Sequence, residues 1–341
     1  MTGAAAEPVL EVTDLCVDLP TTAGVVHAVR GMSFTLQPGR VLGIVGESGS
    51  GKSMTALAVM GLLPAGARVT GSVRLCGQEL IGLGEREYRA VRGRRVAMVF
   101  QDPMTSLNPT YTAGWQVAEA VRAHQAVSRG QAFERAVELL DAVGIADASK
   151  VARSHPHQLS GGMRQRVVIA MAMANEPQVI LADEPTTALD VTVQSQVLET
   201  LERLRRTTSA AMVLITHDLG VMAGTADDVL VMYAGKPAEV GPVDEVFYRP
   251  AMPYTVGLLG SLPRMGGDRP GALTPIAGAP PSLVGTLADG CLFAPRCSWV
   301  RPECDCVEPA LDPVDADSGA DAGPPGHRVA CHASSELVAG R

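Results

Sequence analysis

Eight residues, Gly46-Glu47-Ser48-Gly49-Ser50-Gly51-Lys52-Ser53, do most to limit what this chain can fold into. They follow the unbroken apolar run Val41-Leu42-Gly43-Ile44-Val45 and lead into a segment of helical pattern. A strand buried on both faces, a glycine turn and a helix start, in that order, call for a mostly parallel sheet with helices on either side, so the chain is α/β. The same order matches G-x-x-x-x-G-K-[ST] in the strand–loop–helix context that motif requires. Its glycines let the backbone wrap phosphates, so that several N–H groups and the helix N-terminus face negative charge. Lys52 adds a cation for β- and γ-phosphates, and the Ser53 hydroxyl can bind Mg²⁺.

Four more short apolar strands are expected, at Arg95 to Phe100, Gln178 to Asp183, Met212 to Thr216 and Val229 to Tyr233. Rough alternation from Val9 to Val17 and from Ser33 to Leu36 predicts antiparallel strands near the start. The helix after Lys52 is expected to reach about Leu63 and to stop before Pro64. Between Phe100 and Ser160 the pattern turns helical. Phe133, Ala136, Val137 and Leu140 recur at i, i+3, i+4 and i+7, with Gly144 where a helix would end. This predicts a helical subdomain, about residues 102–160, inserted between two strands of the core. Past Arg249 the composition shifts to Pro and Gly, and Leu311 to Pro325, with four Asp, reads as a solvated loop.

Two further constellations carry chemistry. Val179-Ile180-Leu181-Ala182-Asp183 delivers one carboxylate to a metal at the end of a buried strand, and Glu184 follows, pointing elsewhere by strand alternation. Leu159-Ser160-Gly161-Gly162-Met163-Arg164-Gln165-Arg166 opens a helix with Ser160 as N-cap and two glycines that leave N–H groups exposed. That is a second anion site, separate from the glycine loop. A monomer has little use for two such sites unless each completes another subunit's site.

The formal net charge of −8 argues against a nucleic-acid binder, which needs a basic face to displace counterions. No apolar run approaches the roughly 18 residues that cross a bilayer, and the first residues lack the basic start of a secretory signal. The expectation is a cytoplasmic protein whose membrane contact is peripheral. Of seven cysteines, Cys16 and Cys76 read as buried small hydrophobes, whereas Cys291, Cys297, Cys304, Cys306 and Cys331 fall in the last 51 residues. A reducing compartment disfavours disulfides there, so metal binding is the leading reading, against unliganded thiols on loops.

The glycine loop, Gln101, the Leu159–Arg166 octet, Asp183-Glu184, Ala188-Leu189-Asp190 and His217 stand in the order of the ATP-binding cassette (ABC) family, which the chain resembles over roughly 200 residues. The resemblance implies a P-loop NTPase ABC cassette: a RecA-like mixed-sheet core, an antiparallel N-terminal β-subdomain, the inserted helical subdomain and here a small Cys-rich C-terminal extension. It implies ATP and Mg²⁺ as cofactors. Gly46, Glu47, Ser48, Gly49, Ser50, Gly51, Lys52 and Ser53 would bind ATP, and Ser53, Gln101 and Asp183 would bind Mg²⁺. Glu184 would polarise the attacking water, with His217 as switch histidine and Gln101 as the glutamine that senses the membrane partner. Leu159, Ser160, Gly161, Gly162 and Gln165 would hold the partner's ATP, and Asp190 belongs to the D-loop. One departure is visible: the family places an aromatic residue upstream of the loop to stack on adenine, and this chain has Leu19, Val26 and His27 there.

Within the family, several stretches resemble the ATPases of peptide and nickel importers. This resemblance is carried by Gly43 to Ser48, by Phe100-Gln101-Asp102-Pro103-Met104-Thr105-Ser106-Leu107-Asn108-Pro109, by His155-Pro156-His157-Gln158, and by Pro253-Tyr254-Thr255 with Leu258-Leu259. It implies an ATPase domain at residues 8–250, a transporter-type extension at 251–341, and a chain that energises import of di- or oligopeptides through a separate permease. A nickel or other small-solute importer is the alternative. A non-transport cassette would show coiled-coil arms, a tandem cassette or a basic surface. The implied partners are a second ABC ATPase subunit (a related chain or another copy), two transmembrane permease subunits and an extracytoplasmic binding protein, at the cytoplasmic face of the membrane. The C-x5-C-x6-C spacing of Cys291, Cys297 and Cys304, with Cys331 as fourth, offers four thiolates for a 4Fe-4S cluster or a structural zinc, and the resemblance implies the 4Fe-4S cluster, with zinc as the alternative. With Leu292, Phe293 and Arg296 it suggests a compact knob whose metal replaces a missing core.

Overall fold

The computed structural model describes residues 7–187, 189–261, 276–314 and 326–339. Its strands, in chain order, are β1 (Leu10–Thr21), β2 (Gly24–Leu36), β3 (Val41–Val45), β4 (Arg68–Leu75), β5 (Gln78–Glu79) and β6 (Val96–Val99). There follow β7 (Val179–Asp183), β8 (Ala211–Ile215), β9 (Asp228–Tyr233), β10 (Lys236–Pro242), β11 (Asp312–Pro313) and β12 (Arg328–Val329). The chain divides into two compact units, one formed by residues up to Glu11, Thr35–Arg40 and Arg74–Ile215, the other by Val12–Phe34, Val41–Val73 and the residues from Thr216 onward.

In the first unit β6, β7 and β8 run parallel, with Ala97 opposite Ile180 and Leu181 opposite Val213. Every residue of the three strands is buried. That is why their sequences read as continuous apolar runs: a parallel strand covered on both faces has no solvent side to alternate toward. The inserted helices Ala113–Arg122, Arg129–Ala142 and Gly161–Met173 pack on one another. Ser128 opens the second of these, accepting from the Gln131 N–H at 3.3 Å while the Gln131 side chain accepts from the Ser128 N–H at 3.0 Å. This reciprocal cap satisfies two N–H groups that the helix cannot pair internally. The face it buries is Ala132, Ala136, Leu139 and Leu140, one step round from the predicted stripe, and it leaves Phe133 and Val137 half-buried.

In the second unit β3 lies parallel to β9, with Ile44 opposite Leu230, and β9 turns back antiparallel into β10. Parallel and antiparallel pairings thus meet in one mixed sheet, ordered β11-β12-β10-β9-β3 in this unit. The antiparallel strands follow the order β2-β1-β4. The helix after the glycine loop is Lys52–Met60, shorter than expected. Gly61, at φ 60°, ends it by turning its N–H back to the carbonyls of Ala58 and Leu57, a left-handed cap that halts a helix without proline.

Candidate functional site

Gly46 leaves β3 at φ 155°, and a β-carbon there would stand 2.2 Å from the carbonyl oxygen of Met232, so only glycine can make this exit. The loop then closes on the start of Lys52–Met60, whose first turn contains no carboxylate to compete with an anion. Lys52 is buried, and its Nζ donates to the carbonyls of Gly46 at 2.8 Å and Glu47 at 3.0 Å. Among the described residues the buried Ser50 Oγ has no hydrogen-bond partner. An orphaned buried hydroxyl costs free energy unless a ligand supplies the missing bond. A loop of this backbone shape, with a buried lysine and an unsatisfied hydroxyl, fits a polyphosphate.

The acidic pair diverges sharply. Asp183 is buried at the end of β7. Glu184 leaves the strand in the left-handed region at φ 45°, pinned by its N–H donating to Ile215 at 2.8 Å. The Glu184 Oε2 accepts from Gln101 Nε2 at 3.2 Å and from Thr187 Oγ1 at 2.7 Å. Gln101 and Glu184, far apart in sequence, therefore come together. Thr187 was invisible to motif reasoning, although its place three residues after Glu184, in a turn closed by its own N–H to the Glu184 carbonyl at 3.1 Å, is a signal that a hydroxyl folds back.

At the second anion site Ser160 caps Gly161–Met173, its Oγ accepting from the Met163 N–H at 3.3 Å. A β-carbon on Gly162 would meet the Val193 side chain at 2.5 Å, so this glycine also lets the helix approach its neighbour closely. Leu159 and Gln165 are buried, and Gln165 Nε2 has no hydrogen-bond partner among the described residues. Asp190 caps the helix Val191–Thr208 by accepting from Val193 N–H at 3.0 Å. Ala188 of the expected D-loop lies outside the described residues.

Residues 29–187 match the ABC transporter family profile, and residues 238–304 match that of the oligopeptide/dipeptide transporter C-terminal region. The oligopeptide transport ATP-binding protein OppD of Mycobacterium tuberculosis is 53% identical over 335 residues, 98% of this chain and 53% of that protein. The chain belongs to the ATP-binding subunits of the oligopeptide/dipeptide ABC transporters. It spans about half the length of that mycobacterial relative and 90% of the Bacillus subtilis dipeptide transport ATP-binding protein DppD, to which it is 51% identical over 89% of its own length. Among solved structures, a dimeric ATP-binding cassette in a post-hydrolysis state, bound to ADP and Pi, superposes with a TM-score of 0.61 at 27% identity. It covers 69% of this chain and 98% of that one. The fold is therefore the ABC cassette, with its RecA-like mixed sheet, antiparallel N-terminal subdomain and inserted helical subdomain.

Other expected positions of this ABC subunit fall as follows. His217 stands exposed just after β8. Asp218 next to it caps Leu219–Thr225 by accepting from Gly220 N–H at 2.8 Å. Upstream of the loop, His27 is held at both ring nitrogens. Its Nδ1 meets Asp18 Oδ1 at 2.7 Å and its Nε2 meets the Gly285 carbonyl oxygen at 3.1 Å. Beyond Gln101, Asp102 caps Pro103–Ser106, and Met104, Tyr111 and Trp115 are exposed, the last two stacked at 3.9 Å. Among the described residues no helix is long and apolar enough to cross a membrane.

The expected 4Fe-4S cluster, or zinc, at Cys291, Cys297, Cys304 and Cys331 is overturned. Among the described residues no group of three or more His, Cys, Asp or Glu side chains could hold a metal ion. The four cysteines are all described, and none is in a disulfide. Burial pushes the thiols of Cys291, Cys297 and Cys331 up, Cys331 to about 11. The knob is packed on the rest of its unit: Phe293 is buried edge-on against Tyr233 and Tyr254, at 5.2 and 5.4 Å between ring centres. Spacing in the chain suggested ligands, whereas packing supplies what a metal would have replaced.

Proposed function

We propose that this chain is the ATP-hydrolysing subunit of an importer for di- or oligopeptides and drives a separate membrane permease from the cytoplasmic face. The observation that carries the catalytic half is the Glu184 carboxylate, held by Gln101 and Thr187 immediately after the buried Asp183. A general base needs a fixed position and an accepting oxygen, and this one has both. Gly46 to Ser53 receive the phosphates of ATP, with Lys52 at the β- and γ-phosphates. Ser53, Asp183 and Gln101 offer the hard oxygen donors that Mg²⁺ prefers. Mg²⁺ neutralises charge on the phosphates when bound. Glu184 orients and deprotonates the water, His217 supports that geometry, and Gln101 reports the state of the site to the permease.

The partners follow from the second anion site. Leu159, Ser160, Gly161, Gly162 and Gln165 serve a nucleotide on a second ABC ATPase subunit, while Asp190 helps form that interface. The exposed Met104, Tyr111 and Trp115, which follow Gln101 in the chain, suit docking of a permease helix. The peptide substrate is supported by the match of residues 238–304 and by the names of the relatives. Substrate choice then lies with the permease subunits and an extracytoplasmic binding protein. Reconstitution of the chain with its co-purifying subunits in proteoliposomes tests the reading. Peptide-loaded binding protein should raise ATP hydrolysis, and stimulation by a nickel complex but by no peptide would sink it.

A further inference from the structure

Within the second unit the C-terminal extension reaches the glycine loop itself. Glu47, the second residue of that loop, places a carboxylate in a turn built to hold an anion. Both of its oxygens are taken by one guanidinium: Arg296 Nη1 donates to Oε2 at 2.7 Å and Nη2 to Oε1 at 2.8 Å. The Arg296 side chain is 5% exposed and that of Glu47 25%. Arg296 has little freedom, since its Nε donates to the Ala277 carbonyl at 2.9 Å and its charge lies 5.9 and 5.8 Å from the rings of Tyr233 and Phe293. The Glu47 backbone is fixed as well, its N–H donating to the Tyr254 hydroxyl at 2.8 Å. Tyr254 is fully buried and packs on Tyr233 and Phe293. Pairing with Glu47 holds Arg296 firmly in its charged form, and burial keeps the Tyr254 hydroxyl neutral.

A buried ion pair that only fastened the extension to the core could end on any acidic residue. This one ends on the acidic residue of the phosphate loop, where an unpaired carboxylate would repel a polyphosphate. The bidentate fork both cancels that charge and turns it toward Arg296. We propose that Arg296 is a positioning residue for the nucleotide, neutralising Glu47 and holding the loop open to phosphate, so that the C-terminal extension is part of the ATP site. Displacing the extension then lowers ATP affinity, a route by which anything that binds it can regulate the cassette. The inference rests on the loop being the ATP site.

The test is calorimetric binding of Mg-ATP to the full chain. Lys52→Ala examines the underlying reading alone, because unchanged ATP affinity there removes the loop as the site. With that reading secure, Arg296→Met should weaken ATP binding about tenfold or more, near 1.4 kcal/mol. Adding Glu47→Gln in the same chain should recover most of that loss, because no carboxylate is then left uncompensated. Wild-type affinity in Arg296→Met, or a double variant as weak as the single one, overturns the proposal and leaves a pair that merely pins the fold. Should Arg296→Met fail to fold, Arg296→Gln carries the same test, since its amide can still hydrogen-bond Glu47 while the charge is gone. Its ATP affinity must fall and Glu47→Gln must restore it; an unchanged affinity overturns the proposal equally.

Discussion

At Glu184 a left-handed φ of 45° swings a carboxylate out of a buried strand and into the grasp of Gln101 and Thr187. A non-glycine residue in that region costs about 1–3 kcal/mol, a strain that accumulates at functional sites. Glu184→Gln should therefore leave nucleotide binding intact while cutting turnover about 10²–10⁴-fold, the range typical of a lost general base. Steady-state hydrolysis beside equilibrium ATP binding checks it, and wild-type turnover would remove Glu184 from the mechanism. The motif read from sequence placed Asp183, Glu184 and Gln101. It did not name Thr187, whose spacing three residues after Glu184 hints at the contact but which reaches the carboxylate only through the left-handed turn at Glu184. The cysteines teach the reverse. Burial raises the Cys331 thiol to about 11, so the native state holds a proton that an unfolded chain releases near the ordinary thiol range. Its stabilising contribution is complete at neutral pH and is lost as pH rises through that range toward about 11. Urea midpoints across alkaline pH should fall in the wild type and fall less in Cys331→Ala.

The helices and strands were legible to differing degrees. Buried parallel strands announce themselves as apolar runs, so β3, β6, β7, β8 and β9 lie within a residue or two of their predicted places. Helix ends were less legible, because they depend on local caps: Gly61 halts Lys52–Met60 before the proline that was expected to do so. Caps also carry function. Ser160 presents the N-terminus of Gly161–Met173 at an exposed position. In the proposed arrangement that end serves a nucleotide on the partner subunit. Ser160→Arg should spare ATP binding to the isolated chain yet abolish hydrolysis that depends on two cassettes meeting. Size-exclusion chromatography with ATP, using a hydrolysis-deficient background, should show loss of the dimer. An unchanged dimer and ATPase rate would count against the second anion site.

Across the whole molecule, the C-terminal extension is joined to the nucleotide-binding core at several points within the second unit. Val329 pairs with Glu239 of β10, and the Leu283 carbonyl accepts from His27 N–H at 2.9 Å. Glu239, fully buried, accepts from the N–H groups of Ala251 and Met252 at 2.6 and 3.2 Å and meets His327 Nε2 at 2.6 Å. Removing one side of such a buried cluster strands its partners without water. Glu239→Ala should accordingly cost about 3–5 kcal/mol and make the extension the first segment cut by a protease. Urea unfolding and timed proteolysis measure both, and a loss below about 1 kcal/mol would show that the cluster does not fasten the extension.

Sequence alone determined the cassette. A glycine loop between strand and helix, an acidic strand end and the Leu159–Arg166 octet are local patterns, and their chemistry depends on residue type and near-neighbour spacing. Such patterns survive in one dimension because backbone wrapping of a phosphate, or capping of a helix, is decided within a few residues. What the tertiary structure decided are the long-range pairings: Gln101 with Glu184, Arg296 with Glu47, His327 with Glu239. Among the described residues it also brought together no group of three or more His, Cys, Asp or Glu side chains that could hold a metal ion. Burial and charge pairing depend on which distant segments meet, and that is settled only when the chain has folded.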